Sequence, residues 1–361
     1  MSNPEIVVTD TEAGNLSRAP LVVLSALQRY LDDQGLGAGP VTAQRIGAGS
    51  SNATFLLARG PDRFVLRRPP RPPYPPSAHD IVREARLQMA VARQGIPVPN
   101  VVALEETSAV LGVPFAITDY VDADVVTGEL PRLLKSDEGQ RRQLIESFVR
   151  TLCRIHQADI GAPELEPFSR PGDFLERQLR RFDSLWEHNA TRNVPAVADV
   201  GRWLAANRPP SGRPSVVHGD YRLGNVMVSR RAPAEVVAVL DWEMGAIGDP
   251  RTDLGYLLAT YSEGPATAAN VLELSPVTRL RGFPTRGEIV EYYEATVGES
   301  VGDLTWFETL ALWKGAIFCE AIHARHVRGE LEHDSFAARL EEGVPLLAQA
   351  AQDRATRSSA G

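Results

Sequence analysis

The sequence predicts an α+β chain with two lobes: a small β-rich lobe over residues 1–121 and a larger, mainly helical lobe over residues 122–361. Three observations lead there. At 361 residues the chain exceeds a single core of ordinary size. Short apolar runs broken by turn residues dominate its first part, and 3.6-residue apolar spacing dominates the rest. Within the helical part, two short apolar runs end in polar residues, Asp220 with Asn225 and then Asp241.

Composition narrows the class. The net charge is −8, all of it beyond residue 121, because 11 basic and 11 acidic residues cancel before that point. Such a balance argues against a nucleic-acid surface. No apolar run approaches the ~18 residues of a membrane span. Met1 to Gly14 is polar and acidic, without a signal-like pattern, so the chain is expected in the cytoplasm. Cys153 and Cys319 each lie among apolar neighbours, as buried thiols in a reducing compartment do. The only lysines are Lys135 and Lys314.

In chain order, Leu21, Leu24, Leu27 and Leu31 predict a helix over 20–34, closed by Gly35. Gly47-Ala48-Gly49-Ser50-Ser51-Asn52 follows. Its first two glycines have dinucleotide-fingerprint spacing, but Asn52 replaces the third and strands flank it, at Thr54–Leu57 and Phe64–Leu66. A hairpin over phosphates, with backbone N–H groups toward the anion, fits better than a strand-to-helix turn. The second strand ends in Arg67-Arg68. Alternation turns one inward and the other outward, and counting from the apolar residues selects Arg67 as the inward one. The six prolines from Pro69 to Pro76 read as a stiff connector rather than a protein ligand. A helix is predicted over 78–93, with Ile81, Ala85, Met89 and Val91 or Ala92 on its apolar face and Glu84 one turn inside. Two more strands, 101–104 and 115–118, lead to Asp119-Tyr120-Val121, where the chain leaves the small lobe.

In the large lobe, helices are predicted over 136–157, 172–188 and 196–207. Then come Val216-Val217, the polar knot His218-Gly219-Asp220-Tyr221-Arg222-Leu223-Gly224-Asn225, and Val226-Met227-Val228. Sixteen residues after Asn225, Asp241 closes the run Val236–Leu240. A carboxylate, an amide and a second carboxylate at strand ends suit phosphoryl transfer: one carboxylate orients the attacking hydroxyl, and the Asn oxygen and other carboxylate hold Mg²⁺ against phosphates. Helices are predicted over 253–260, 286–296, 304–327 and 335–351, with a frayed tail over 352–361.

His-Gly-Asp-x4-Asn followed by Asp-Trp-Glu, with Gly248-Asp249-Pro250-Arg251-Thr252-Asp253-Leu254 downstream, resembles the aminoglycoside phosphotransferase and choline kinase-like family. The wider string of motifs is similar to the branch that includes domains fused to acyl-CoA dehydrogenases. The resemblance implies a bilobal, protein-kinase-like fold binding ATP or GTP with Mg²⁺ between the lobes. It implies Asp220 as the hydroxyl-orienting base and Asn225 and Asp241 as metal ligands. Gly47, Gly49, Ser50, Ser51 and Asn52 would cover the phosphates, Arg67 would stand where the family places Lys, and Glu84 would pair with it. Asp119, Tyr120 and Val121 would form the hinge beside the base. Arg222 is read either as a second catalytic group, stabilising charge on the phosphoryl oxygens, or as a surface Arg in a nearby salt bridge. His218 braces the loop, and Asp253 is expected to hold its backbone. His156 is expected to be packed. The expected acceptor is a hydroxyl of a small metabolite or acyl compound. An aminoglycoside is the alternative, and a catalytically silent nucleotide-binding module a further one. For a polycation, Glu320, Glu330, Glu332, Asp334, Glu341 and Glu342 are the candidate carboxylates, although they lie on apolar or mixed-charge helices.

Overall fold

The structure, a computed structural model, describes residues 4–47, 52–72, 79–265, 274–330 and 335–358. The chain forms two compact units: Met1–Asp122 together with Leu240–Glu243, and Ala123–Val239 together with Met244–Gly361.

The first unit opens with β1 (Ile6–Val7), α1 (Asp10–Gly14) and β2 (Val22–Val23). β1 and β2 pair in parallel. Thr9 and Glu12 form a capping box that starts α1. The helix expected over 20–34 is α2 (Leu24–Asp33), because the β-branched pair before it joins β1 instead. Then follow β3 (Val41–Ile46), β4 (Ala53–Arg59), β5 (Asp62–Arg68), α3 (Ile81–Arg93), β6 (Val101–Glu105) and β7 (Phe115–Asp119). The sheet order is β3-β4-β5-β7-β6, antiparallel throughout. Phe55, Leu57, Leu66, Phe115 and Ile117 from the sheet pack with Leu27 and Leu31 of α2. Asp80 caps α3 by accepting the Arg83 N–H. Ile81 and Ala85 of α3 are buried together with Ala116 of β7. Val91 is buried as expected, but Met89, expected on the apolar face of α3, is 36% exposed; Leu87 and Ala90 are buried instead.

The second unit begins with β8 (Asp124–Val125), α4 (Arg132–Ser136), α5 (Glu138–His156), α6 (Phe174–Asn189) and α7 (Pro195–Ala206). β9 (Ser215–Val217), β10 (Val226–Val228), β11 (Val236–Val239) and β12 (Ala246–Gly248) come next. They build two small antiparallel sheets, β11-β10-β8 and β12-β9, whose loops present the polar knot. α8 (Arg251–Thr260), α9 (Arg286–Val297), α10 (Thr305–Val327), α11 (Ser335–Ala338) and α12 (Leu340–Ser358) complete it. α10 is the centre of this unit, packed by α6, α7, α8 and α12. Trp306 and Trp313 are buried on it, and each indole N–H is satisfied by a carbonyl of α7, that of Leu204 at 3.0 Å and that of Val197 at 2.9 Å. The tail expected to fray from residue 352 is instead helical to Ser358. Leu340, Val344, Leu347, Ala348, Ala351 and Ala355 are buried along one stripe of α12, and Arg354 bonds Glu308 of α10.

Candidate active site

In the first unit, β5 delivers two arginines to opposite faces of the sheet. Arg67 turns to α3 and to the segment after β11: its Nε is 3.1 Å from Glu84, and its Nη2 is 2.6 Å from Asp241 and 3.9 Å from Glu243. Arg68 does not point out to solvent, as simple alternation suggested. It is 4% exposed and donates to the carbonyls of Leu21, Pro69 and Leu111, tying the N-terminal segment to the sheet. One guanidinium therefore serves three carboxylates. Burial pushes the Glu84 carboxyl up to about 7, Arg67 pulls it back, and Asp241 and Glu243 add to the rise. Burial alone would weaken the Arg67 charge, but the three carboxylates outweigh it and hold the guanidinium protonated.

Asp241 has φ +65°, a left-handed conformation uncommon for a residue with a Cβ. Its other carboxylate oxygen receives no hydrogen bond from a described residue. Asn52 is buried at 6% exposure; its amide donates to Glu243 (3.2 Å), and its oxygen lies 3.0 Å from His79 Nδ1. Gly47 has φ +75°, which suits a turn. Gly49, Ser50 and Ser51 lie outside the described residues. Asp119 accepts from the Asn100 N–H (2.7 Å) and side chain (2.8 Å). The Tyr120 ring lies under Arg63, and Val121 is half-buried. Glu243 and His79 carry no role in the sequence reading; the Asp-Trp-Glu triplet was the one available signal for Glu243.

In the second unit, the knot hangs on Asp253. This fully buried carboxylate accepts the N–H groups of His218 and Gly219, both at 2.7 Å, and lies 3.1 Å from His156 Nε2. Burial would raise its pKa, but His156 and the His218 amide hold it below the usual range, so it stays ionised. The tie between Asp253 and the loop backbone is as expected, and so is the packed His156, whose Nδ1 meets the Tyr293 hydroxyl at 2.7 Å. His218 Nδ1 accepts the Asp220 N–H at 3.2 Å. Gly219 has φ +83°, and a Cβ there would meet the Met244 carbonyl at 2.8 Å, so no other residue fits the turn. Tyr221 stacks on Phe148 and donates to its carbonyl at 2.8 Å, anchoring the loop to α5.

These ties fix Asp220 and Asn225. The Asn225 amide donates to the Asp220 carbonyl (2.9 Å) and to its Oδ2 (2.7 Å). The Asn225 amide oxygen accepts no hydrogen bond from a described residue. The other Asp220 oxygen, Oδ1, is buried and accepts no hydrogen bond, although Arg222 Nε stands 3.4 Å away. Tyr256, half-buried, turns its hydroxyl toward Asp220, and burial with the Asp220 charge raises its pKa strongly. Among the described residues, no group of three or more His, Cys, Asp or Glu side chains makes a ready-formed metal site. Asn225 in the second unit and Asp241 in the first each carry a hard oxygen that accepts no hydrogen bond from a described residue, and such oxygens are of the kind Mg²⁺ takes.

The profile of the phosphotransferase enzyme family matches residues 42–276. The chain is 31% identical to mouse acyl-CoA dehydrogenase family member 10 over 92% of its own length and 31% of that protein's. It thus spans about a third of the length of that curated relative. Among solved structures, a Ralstonia eutropha protein named as an aminoglycoside phosphotransferase superposes with a TM-score of 0.76 at 27% identity, over 92% of this chain and 98% of that one. The ethanolamine kinase of Plasmodium vivax shares the fold, with a TM-score of 0.57 at 13% identity over 86% of this chain and 82% of its own. The two-unit α+β architecture is that of the protein-kinase-like phosphotransferases.

Proposed function

We propose a function on the premise of family membership: the chain belongs to the phosphotransferase enzyme family. Within it, the chain acts as a kinase that moves the γ-phosphoryl group of ATP to a hydroxyl of a small molecule. The observation that carries this reading is Asp220, whose buried Oδ1 accepts no hydrogen bond, with Arg222 Nε 3.4 Å away, while its Oδ2 is fixed by Asn225. A carboxylate held in that way is ready to accept or orient a hydroxyl proton. Arg67, anchored by Glu84, supplies a permanent charge for phosphate oxygens, and the exchange of Lys for Arg preserves that role. Asn225 and Asp241 are the proposed Mg²⁺ ligands. The ion would neutralise phosphate charge when bound. Arg222, beside Asp220, stabilises charge on the transferred group. Gly47 and Asn52 border the proposed phosphate cover with Gly49, Ser50 and Ser51, and Asp119, Tyr120 and Val121 form the proposed hinge.

A hydroxylated metabolite or acyl compound is the favoured acceptor. The related mouse protein bears the name of an acyl-CoA dehydrogenase family member, which suits an acyl substrate. Two of the carboxylates that a polycationic drug would need are already engaged: Glu320 is fully buried against Thr191 and Arg192, and Glu330 pairs with Arg325 and Arg328. Glu332 and Asp334 lie outside the described residues. Asp220→Asn is expected to retain Mg-ATP binding and lose about 10²–10⁴-fold in turnover, read as ADP release in an acceptor screen. Undiminished turnover in that variant would remove Asp220 from the mechanism. Binding of Mg-ATP without turnover on any acceptor would favour the silent-module alternative.

A further inference from the structure

Beside the Asp220 loop, the second unit gathers cations that no carboxylate neutralises. Lys314 of α10 lies half-buried against α6, its ammonium 4.8 Å from the centre of the Phe182 ring and 3.4 Å from the Gln178 oxygen. Both partners are neutral. The charges that reach it are Arg181 from α6, Asp253 from α8 and Asp220 from the loop, and none of the three is within ion-pair distance. Burial, with Arg181, pulls its pKa down to about 8, against the opposing effect of Asp253 and Asp220. Arg181 is exposed and repelled by Arg170 as well. Among the described residues, Lys314, Arg181 and Arg170 form no ion pair. Elsewhere in the same unit, half-buried or buried charges are matched: Arg192 with Glu320, Arg251 with Asp249, Arg354 with Glu308. The unit also carries a net charge of −5, with 27 basic and 32 acidic residues, so unpaired cations here are not a shortage of acid.

Like charges held together without a counter-ion cost free energy that an arriving anion recovers. One helical turn beyond Lys314, Phe318 is 37% exposed and meets Phe182 edge-on, so apolar surface adjoins the cations. We propose that Lys314 and Arg181 form the acceptor's anion-recognition subsite, so that the hydroxyl presented to Asp220 belongs to a molecule bearing a carboxylate or a phosphate ester. This rests on the phosphotransferase reading and narrows its substrate class.

The test is ADP release at saturating Mg-ATP with acceptors matched in shape: glycerate and 3-phosphoglycerate against glycerol, and 3-hydroxybutyrate against 1,3-butanediol. The acids are expected to exceed their neutral counterparts at least tenfold in kcat/KM, and the carboxylate and phosphate arms identify which anion is read. Lys314→Met and Arg181→Ala are expected to collapse that ratio by about 10- to 100-fold through KM, and Lys314→Arg to preserve most of it. KM for the acids is expected to climb as pH passes about 8 in the wild type, where the ammonium is lost, and to stay level in Lys314→Arg. Preference for neutral or cationic acceptors overturns the subsite, as does a Lys314→Met effect confined to the KM of ATP. Arg181 is exposed, so its variant reports even where the Lys314 variant does not fold. Where no acceptor turns over, thermal protection by 3-phosphoglycerate at low ionic strength decides: it is expected in the wild type and lost in Arg181→Ala, and equal or absent protection overturns the proposal. Stabilisation by Mg-ATP is read separately, so failure of the subsite and failure of the kinase reading remain distinguishable.

Discussion

Arg67 and Glu84 show how one residue pair ties stability to function. Glu84 is 5% exposed at its side chain, and Arg67 is its cation. Removing the guanidinium leaves a buried carboxylate alone, so Arg67→Ala is expected to destabilise the protein by about 3–5 kcal/mol. Glu84→Gln is expected to cost far less, because a neutral amide needs no counter-ion, and to rescue much of the Arg67→Ala loss in the double variant. Chemical denaturation of the four proteins gives the comparison. The pH dependence has a definite sign. The folded carboxyl titrates near 7, above its ordinary 4.5, so the folded chain holds the extra proton between those values. That contribution to stability is present below about 4.5 and lost as pH rises through 7. Tm measured from pH 4.5 to 7.5 should therefore fall more steeply in the wild type than in Glu84→Gln; parallel profiles would contradict the assignment.

At the scale of elements, α8 matters because it carries Asp253, and α8 packs closely on α10. A Cβ on Gly255 would meet the Phe307 backbone at 2.5 Å. Gly255→Ala is expected to force the two helices apart and cost at least the ~1–3 kcal/mol of overpacking. Because Asp253 lies two residues away, kcat should fall beyond what the lost stability explains, measured well below the melting temperature. This contact left no trace in the sequence, where Gly255 reads as an unhelpful residue in a helix. The helices themselves were legible wherever large apolar residues mark the buried face, as in α5 and α10. α12 was read short because its last buried positions are Ala348, Ala351 and Ala355, whose small side chains give little contrast with a polar tail. Val22 and Val23 were read as helix because their pairing with β1 is a tertiary fact, absent from local periodicity.

At the scale of the molecule, the fold class and the family were legible because the motif spacing survives intact from Asp220 to Asp253. The acceptor subsite was not, because Gln178, Arg181, Phe182 and Lys314 come together only through the packing of α6 on α10. A whole-molecule response tests the nucleotide reading. A ligand that binds only the folded chain stabilises it by about 2.7 kcal/mol at a hundred times its Kd. Mg-ATP is expected to raise Tm with concentration, ATP with EDTA to do so far less, and Asp241→Ala to lose most of the Mg-dependent part. Scanning fluorimetry measures all three.

The first unit borrows Leu240–Glu243 from far along the chain. On the ribosome, Arg67 and Glu84 emerge long before Asp241 and Glu243 exist. At ~5–20 residues per second, the stretch from residue 122 to residue 241 takes roughly 6–24 s to make. For that interval the nascent small unit has its sheet and its α3 helix but lacks two of the three carboxylates that Arg67 serves. Its last stitch is set only when translation has passed the Asp220 knot, so a chain released before residue 241 cannot complete even its amino-terminal part.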